Sequence, residues 1–161
     1  LLVDLHEKRW KARGEEGVFA EPGILAFHRE ATRELLQHGH LRLSWLEIDG
    51  QPAAAEYCVT DGSVVYSYQS GFDPALMQHE PGVLTVIATI QDTIECGFTA
   101  LDFLRGDEPY KLDWRAEPRP IHHVRILPSN WPGHLRQSLW QAAIGAKDLL
   151  RASRDAVLSA R

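Results

Sequence analysis

The chain has 161 residues, 17 basic and 22 acidic side chains and a net charge of −5, with a pI near 5.9. That length suits one domain with an appendage, and 44% apolar with 24% charged residues are globular values, which disfavours disordered, collagen-like and fibrous chains and any whole-surface attraction to nucleic acid. No apolar run is long enough to span a membrane, no basic leader with an apolar core opens the chain, and Cys58 and Cys96 alone make neither a disulfide framework nor a cysteine zinc site, so a cytoplasmic setting is expected.

The chain starts at Leu1 inside a helical pattern, and the expectation is that it is a piece of a longer protein. Leu2, Leu5 and Trp10 lie at helical spacing, and Gly14 supplies a stop. A loop with Gly17, Pro22 and Gly23 leads to a second helix over 24–37, with Leu25, His28, Leu35 and Leu36 near one stripe. Three extended runs follow, 41–48, 51–60 and 63–70, joined by Asp49-Gly50 and Asp61-Gly62. Two-residue DG turns between alternating runs predict an antiparallel meander. In it Leu41, Leu43 and Trp45 share a face, and Glu56 points away from Ala53, Ala55, Tyr57 and Val59.

Residues 71–82 read as a loop with two prolines and two glycines, of a length that is usually functional. Val83, Ile87, Ile90 and Ile94 then recur at helical spacing up to Gly97, and FTALDF (98–103) reads as a short buried strand. Strand, helix, strand in that order predicts a right-handed parallel crossover. A polar loop spans 104–120, a last strand is expected at 121–127, and a helical pattern runs over 132–161 with mostly basic charges. The eight histidines include no HExxH, and the cysteines form no CxxC, so no metal site is expected.

The order helix, helix, meander, helix, strand is that of the GNAT acyltransferase core without its first strand. YQSGFDP (68–74), PGVL (81–84), LDFLRGDEPYKLDW (101–114) and the opening LHEKRWKARGEEGVFA resemble the GNAT-like domain of the CelD / cellulose-biosynthesis acetyltransferase group. That group is a distant relative of the Fem-type aminoacyltransferases. The resemblance covers residues 1–127 and implies an α/β fold of GNAT type: a mixed, mainly antiparallel sheet flanked by helices, followed by a C-terminal helix over 128–161. Members are usually longer, with two related halves, so this chain would be the second half, packing on an N-terminal half or on itself.

The activity so implied is N-acyl transfer from acetyl-CoA or another acyl-CoA to an amine of a small molecule or peptide, in exopolysaccharide or cell-envelope synthesis. For the Fem-type relatives the donor is an aminoacyl-tRNA. In GNAT enzymes the donor lies where two parallel strands part, here between 64–70 and 99–103, with its pyrophosphate at the next helix N-terminus, here 80–83. Gly82 and Val83 are the donor-binding candidates at that end. The family's phosphate loop is basic and glycine-rich, whereas ALMQHEPGVL has one glycine, no Arg or Lys, and Glu80 at the helix start.

The chemistry needs a base for the ammonium proton, donors for the developing oxyanion and a grip on the acyl donor. Glu56, a strand carboxylate, and Asp102, at a strand's C-terminal end, are candidate bases; each also has a plain structural account, as a solvent-facing or loop-holding carboxylate. Tyr110 could protonate the leaving group. Tyr68, Gln69 and Ser70 precede Gly71, which allows close backbone approach to a donor. Arg105, with Asp107 and Glu108 beside it, could bind the substrate, the guanidinium clamping a carboxylate or phosphate. Lys111 matches a Fem-type lysine that engages the donor, so Lys111→Ala is expected to weaken donor binding without unfolding the domain. The competing account of 102–115 is an ion-pair network, with Asp102–Arg105 as one pair. Two readings stand beside acyl-CoA transfer: a tRNA-dependent Fem-type transferase, and a non-catalytic GNAT-like binding or assembly module.

Overall fold

The computed structural model describes residues 1–122, 124, 126, 135–143 and 145–146. Two units emerge, Leu1–Pro118 and Arg119–Arg161. In the second, residues 135–143 and 145–146 are helical; the rest of the expected terminal helix lies outside the described residues. Part of the expected strand at 121–127 does too, while Ile121, His122, Val124 and Ile126 are exposed and lie outside the sheet. No described helix is long and apolar enough to cross a membrane.

The first unit opens with α1 (Leu2–Lys11), whose last turn carries Lys8, Arg9 and Lys11 against the helix dipole. A 3₁₀ turn over Val18–Ala20 leads to α2 (Pro22–Gln37). The Glu21 carboxylate accepts from the Gly23 and Ile24 amides at 3.0 and 2.8 Å, and Pro22 occupies the first turn, so this start is both capped and pre-bent. Strands β1 (Leu41–Ile48), β2 (Gln51–Asp61) and β3 (Val64–Phe72) form the expected meander. Asp49 and Gly50 both sit at positive φ, 52° and 75°, as a primed hairpin turn requires.

The expected loop at 71–82 is largely ordered structure. β3 runs to Phe72, a 3₁₀ segment covers Pro74–His79, and α3 (Pro81–Glu95) starts at once. Asp73 makes this turn, its carboxylate accepting from the Ala75 amide and pairing with Lys8 of α1 at 2.6 Å. β4 (Ala100–Asp102) pairs parallel with β3, giving the order β1-β2-β3-β4. This is a mixed, mainly antiparallel sheet flanked by helices. A short α4 (Tyr110–Asp113) sits within the expected loop 104–120.

Two inward faces differ from expectation. β2 does not alternate: every residue from 53 to 58 is buried. Its odd residues face α1 and α2: Ala55 stands opposite Gly71, which packs on α1, and the His28 ring of α2 meets Tyr57 edge-on. Its even residues lie on the side of α3. Helices on both faces turn an alternating pattern into a continuous buried run. On α3 the buried stripe is Pro81, Thr85, Thr89 and Thr93, and Val83, Leu84, Ile87 and Ile94 are exposed. The three threonine hydroxyls each donate to the carbonyl four residues back, at 2.7–2.9 Å. With the hydroxyl satisfied inside the helix, each threonine offers the sheet a methyl group.

Candidate functional site

Parallel pairing between β3 and β4 lasts for three residue pairs, Val64–Ala100, Val65–Leu101 and Tyr66–Asp102. Beyond Tyr66 the strands part. β3 carries on to Phe72, and the chain after Asp102 turns into the loop that leads to α4. The expected split between 64–70 and 99–103 is narrower: residues 64–66 and 100–102 are paired, and the opening starts after them.

Glu56 lies beside this split. It is 3% exposed, and its cross-strand neighbour is Ser70. Ser67 Oγ donates a short 2.5 Å hydrogen bond to Glu56 Oε1, and the Cys58 thiol approaches the same oxygen at 3.8 Å. A bulge between Tyr57 and Cys58 brings Ser67 to this position. Burial pushes the Glu56 carboxyl up from 4.5 to about 7, against the downward pull of the Ser67 and Cys58 hydrogen bonds and of Arg9. A carboxyl poised there can hold or release a proton near neutrality. Arg9 reaches the same place from α1, donating from Nη1 to Ser70 Oγ at 3.1 Å and lying 5.1 Å from the centre of the Phe72 ring. Tyr110 comes from α4, edge-on to Phe103, and its hydroxyl is raised, mainly by burial; Arg9, Glu56, Glu108 and Lys111 all act on it.

Glu56, Ser70, Tyr110 and Glu108 therefore share one neighbourhood. The other predicted residues are placed differently. Tyr68 joins His28 and Tyr57 on the opposite side of the sheet, with ring centres 5.3 and 5.4 Å away. Gln69 pairs across to Tyr57. Gly71 is buried against α1, where a Cβ would collide with the backbone of Leu5 and His6; its missing side chain makes room for a helix. The Asp102 carboxylate accepts from the Leu104 amide at 2.7 Å and forms no ion pair with Arg105. Arg105 and Asp107 are exposed.

Lys111 is 8% exposed. Its ammonium donates to the carbonyls of Leu104, Arg105 and Gly106 at 3.4, 3.1 and 3.3 Å and pairs with Glu108 at 2.8 Å. This lysine gathers its own loop, in which Leu104 is held at φ 57° and Gly106 at φ 115°. At the start of α3, the Val83 and Leu84 amides both donate to the Glu80 carbonyl, so Gly82 presents the amide there. Sequence reasoning missed Arg9 and Ser67. Arg9 belongs to a helix that reads as an ordinary amphipathic segment, and Ser67 reaches Glu56 through a bulge that leaves no sequence mark.

The pattern of acetyltransferase (GNAT) domains matches residues 1–112. The chain belongs to that family. As a GNAT domain it is a transferase. It is similar in fold to an aminoglycoside acetyltransferase from an uncultured soil metagenomic sample in complex with sisomicin, at 19% identity over 62% of this chain and 74% of that one, TM-score 0.46. An aminoglycoside N-acetyltransferase in complex with CoA is 16% identical over 64% of this chain and 91% of that one, TM-score 0.40. No curated protein matches the chain.

Proposed function

We propose that this GNAT domain moves an acetyl or other acyl group from acyl-CoA to the amine of a small molecule or peptide, with Glu56 as general base. The observation that carries the reading is a buried carboxyl, tuned to about 7, next to the opening between β3 and β4. The Glu56 carboxylate takes a proton from the acceptor ammonium, directly or through water. The freed amine attacks the thioester carbonyl; the C–N bond forms and the C–S bond breaks, the Tyr110 hydroxyl gives its proton to the thiolate, and the phenolate takes the proton that the acylated nitrogen sheds. Ser67 orients the Glu56 carboxyl, and the loop gathered by Lys111 forms the wall opposite β3.

Donor recognition, on this reading, rests on the β3 edge beyond Tyr66 more than on the start of α3. That start offers the Gly82 amide beside the Phe72 ring, over which Arg9 lies, but its own segment brings Glu80 and no Arg or Lys, a poor fit to a pyrophosphate. We further assign residues 1–127 to the acyltransferase domain and 128–161 to a helical extension. The setting we propose is cytoplasmic, in exopolysaccharide or envelope synthesis, packed on an N-terminal half of a longer chain.

The test is calorimetric titration with acetyl-CoA, with thiol release measured over a panel of amines. Saturable donor binding and transfer are expected, with Glu56→Gln lowering kcat about 10²- to 10⁴-fold at unchanged donor affinity. No donor binding together with a tRNA gel shift would point to aminoacyl transfer. Binding of neither, with a stable hetero-complex, would make the domain an assembly module. Full activity in Glu56→Gln would remove it from the base role.

A further inference from the structure

We infer that Arg9 is a positioning residue for the proposed base: its guanidinium, fixed against Ser70 and Phe72, supplies the positive field that keeps Glu56 a working carboxylate in a closed site. The inference rests on the base assignment above and deepens it.

The geometry is set by register. Ser70 stands opposite Glu56 and Phe72 opposite Ala54, so Ser70 and Phe72 flank the stretch of β2 that carries the carboxyl. Arg9 touches both, by a hydrogen bond to Ser70 Oγ and by stacking on the Phe72 ring. The guanidinium forms no ion pair among the described residues, and its Nε is buried without a hydrogen-bond partner. A half-buried cation with no ion-pair partner is unfavourable unless its charge is used.

Cys58 comes from β2 itself, Ser67 and Ser70 from β3, Ser44 from β1, Tyr110 from α4 and Arg9 from α1. One strand position further along, Arg42 of β1 stands opposite Cys58, its charge taken up by Asp92 of α3. On its buried face α3 brings a proline and threonines, no charge. Glu108 and Arg13 act on Arg9 in turn, with opposite signs. Arg9 is thus the one cation acting on Glu56 among the described residues. Once substrate closes the split and water leaves, burial alone would hold the carboxyl protonated and idle, and the nearby cation opposes that.

The test titrates Glu56 directly, by carbon NMR of protein labelled at glutamate carboxyls, with Glu56→Gln assigning the resonance. The pH profile of kcat/KM is measured alongside. Arg9→Met is expected to move the Glu56 midpoint up by about one unit and to carry the acid limb of kcat/KM with it. Arg9→Lys should restore most of both. Ser70→Ala frees the guanidinium without deleting it and should give a smaller upward shift; it decides the matter if Arg9→Met does not fold. An unmoved midpoint in Arg9→Met, or in Ser70→Ala where that variant decides, overturns the inference even if the variant melts lower or turns over more slowly. A midpoint that moves in a protein transferring no acyl group leaves the field of Arg9 standing and removes the base role of Glu56 instead.

Discussion

A carboxyl sealed in the middle of β2 changes how the protein answers pH. Glu56 ionises near 4.5 in an unfolded chain and near 7 in the folded one. Between those values the folded state binds the extra proton. The associated stability is complete below 4.5 and is lost as pH rises through 7, about 3 kcal/mol in all. Glu56→Gln should therefore melt several degrees higher than wild type at about pH 8.5 and nearly level with it at about pH 5, although activity falls in both. Equal melting temperatures at the alkaline pH would mean that the folded protein ionises Glu56 without strain. Lys111 gives the second prediction at this scale. Its loss orphans a loop of three carbonyls, so Lys111→Met should cost about 1–3 kcal/mol in urea unfolding. Unchanged stability with weakened donor binding would return Lys111 to the contact role the resemblance implied. Both residues were visible in the sequence as candidates. Their surroundings were not, because Ser67, Arg9 and the carbonyls of 104–106 meet them only through a bulge, a helix crossing and a left-handed turn.

The hairpins, the two opening helices and the crossover were legible because their signals are local. DG turns set the β1–β2–β3 meander, and apolar spacing placed α2 over 24–37, although Pro22 and Gly23, read as loop, form its first turn. What was not legible is which face of α3 turns inward. Apolar spacing favoured Val83, Ile87, Ile90 and Ile94, and packing chose the threonine stripe. Thr89→Val tests that account. It keeps the shape and removes a hydroxyl already satisfied within the helix, so stability should change by less than about 0.5 kcal/mol. A large loss would show that the hydroxyl does more than cap Thr85. Gly71→Ala probes the α1–β3 contact. The added Cβ meets the backbone of Leu5 and His6, which cannot shift as a flexible side chain would. Destabilisation of about 1–3 kcal/mol is expected, with α1 loosened first and Arg9 displaced along with it.

Across the first unit, two groups of buried titratable side chains pull stability in opposite directions. His6 and His28 are held below their usual 6.5, chiefly by burial. His6 Nδ1 donates to the Ser70 carbonyl at 3.0 Å, and the two rings sandwich Phe19 at 4.8 and 5.5 Å. The unfolded chain takes up these protons first as pH falls, so the stability is present above 6.5 and lost below it. Glu56 adds its own loss as pH rises through 7. Melting temperature should therefore peak in a narrow band between about pH 6 and 7, and His28→Phe should flatten the acid side. A curve still climbing at pH 8 would contradict this balance.

The seam between β3 and β4 has a kinetic consequence. Three rungs of pairing are little to hold a strand, and β4 has no neighbour on its far side in the described sheet. Its amides should exchange with solvent hydrogen far sooner than those of β2, through openings that leave the meander intact. A molecule bridging the two strands adds a further link to that ladder. Occupancy should therefore appear as slowed exchange at residues 100–104 and 67–72, so the weakest edge of the sheet would report on its own ligand.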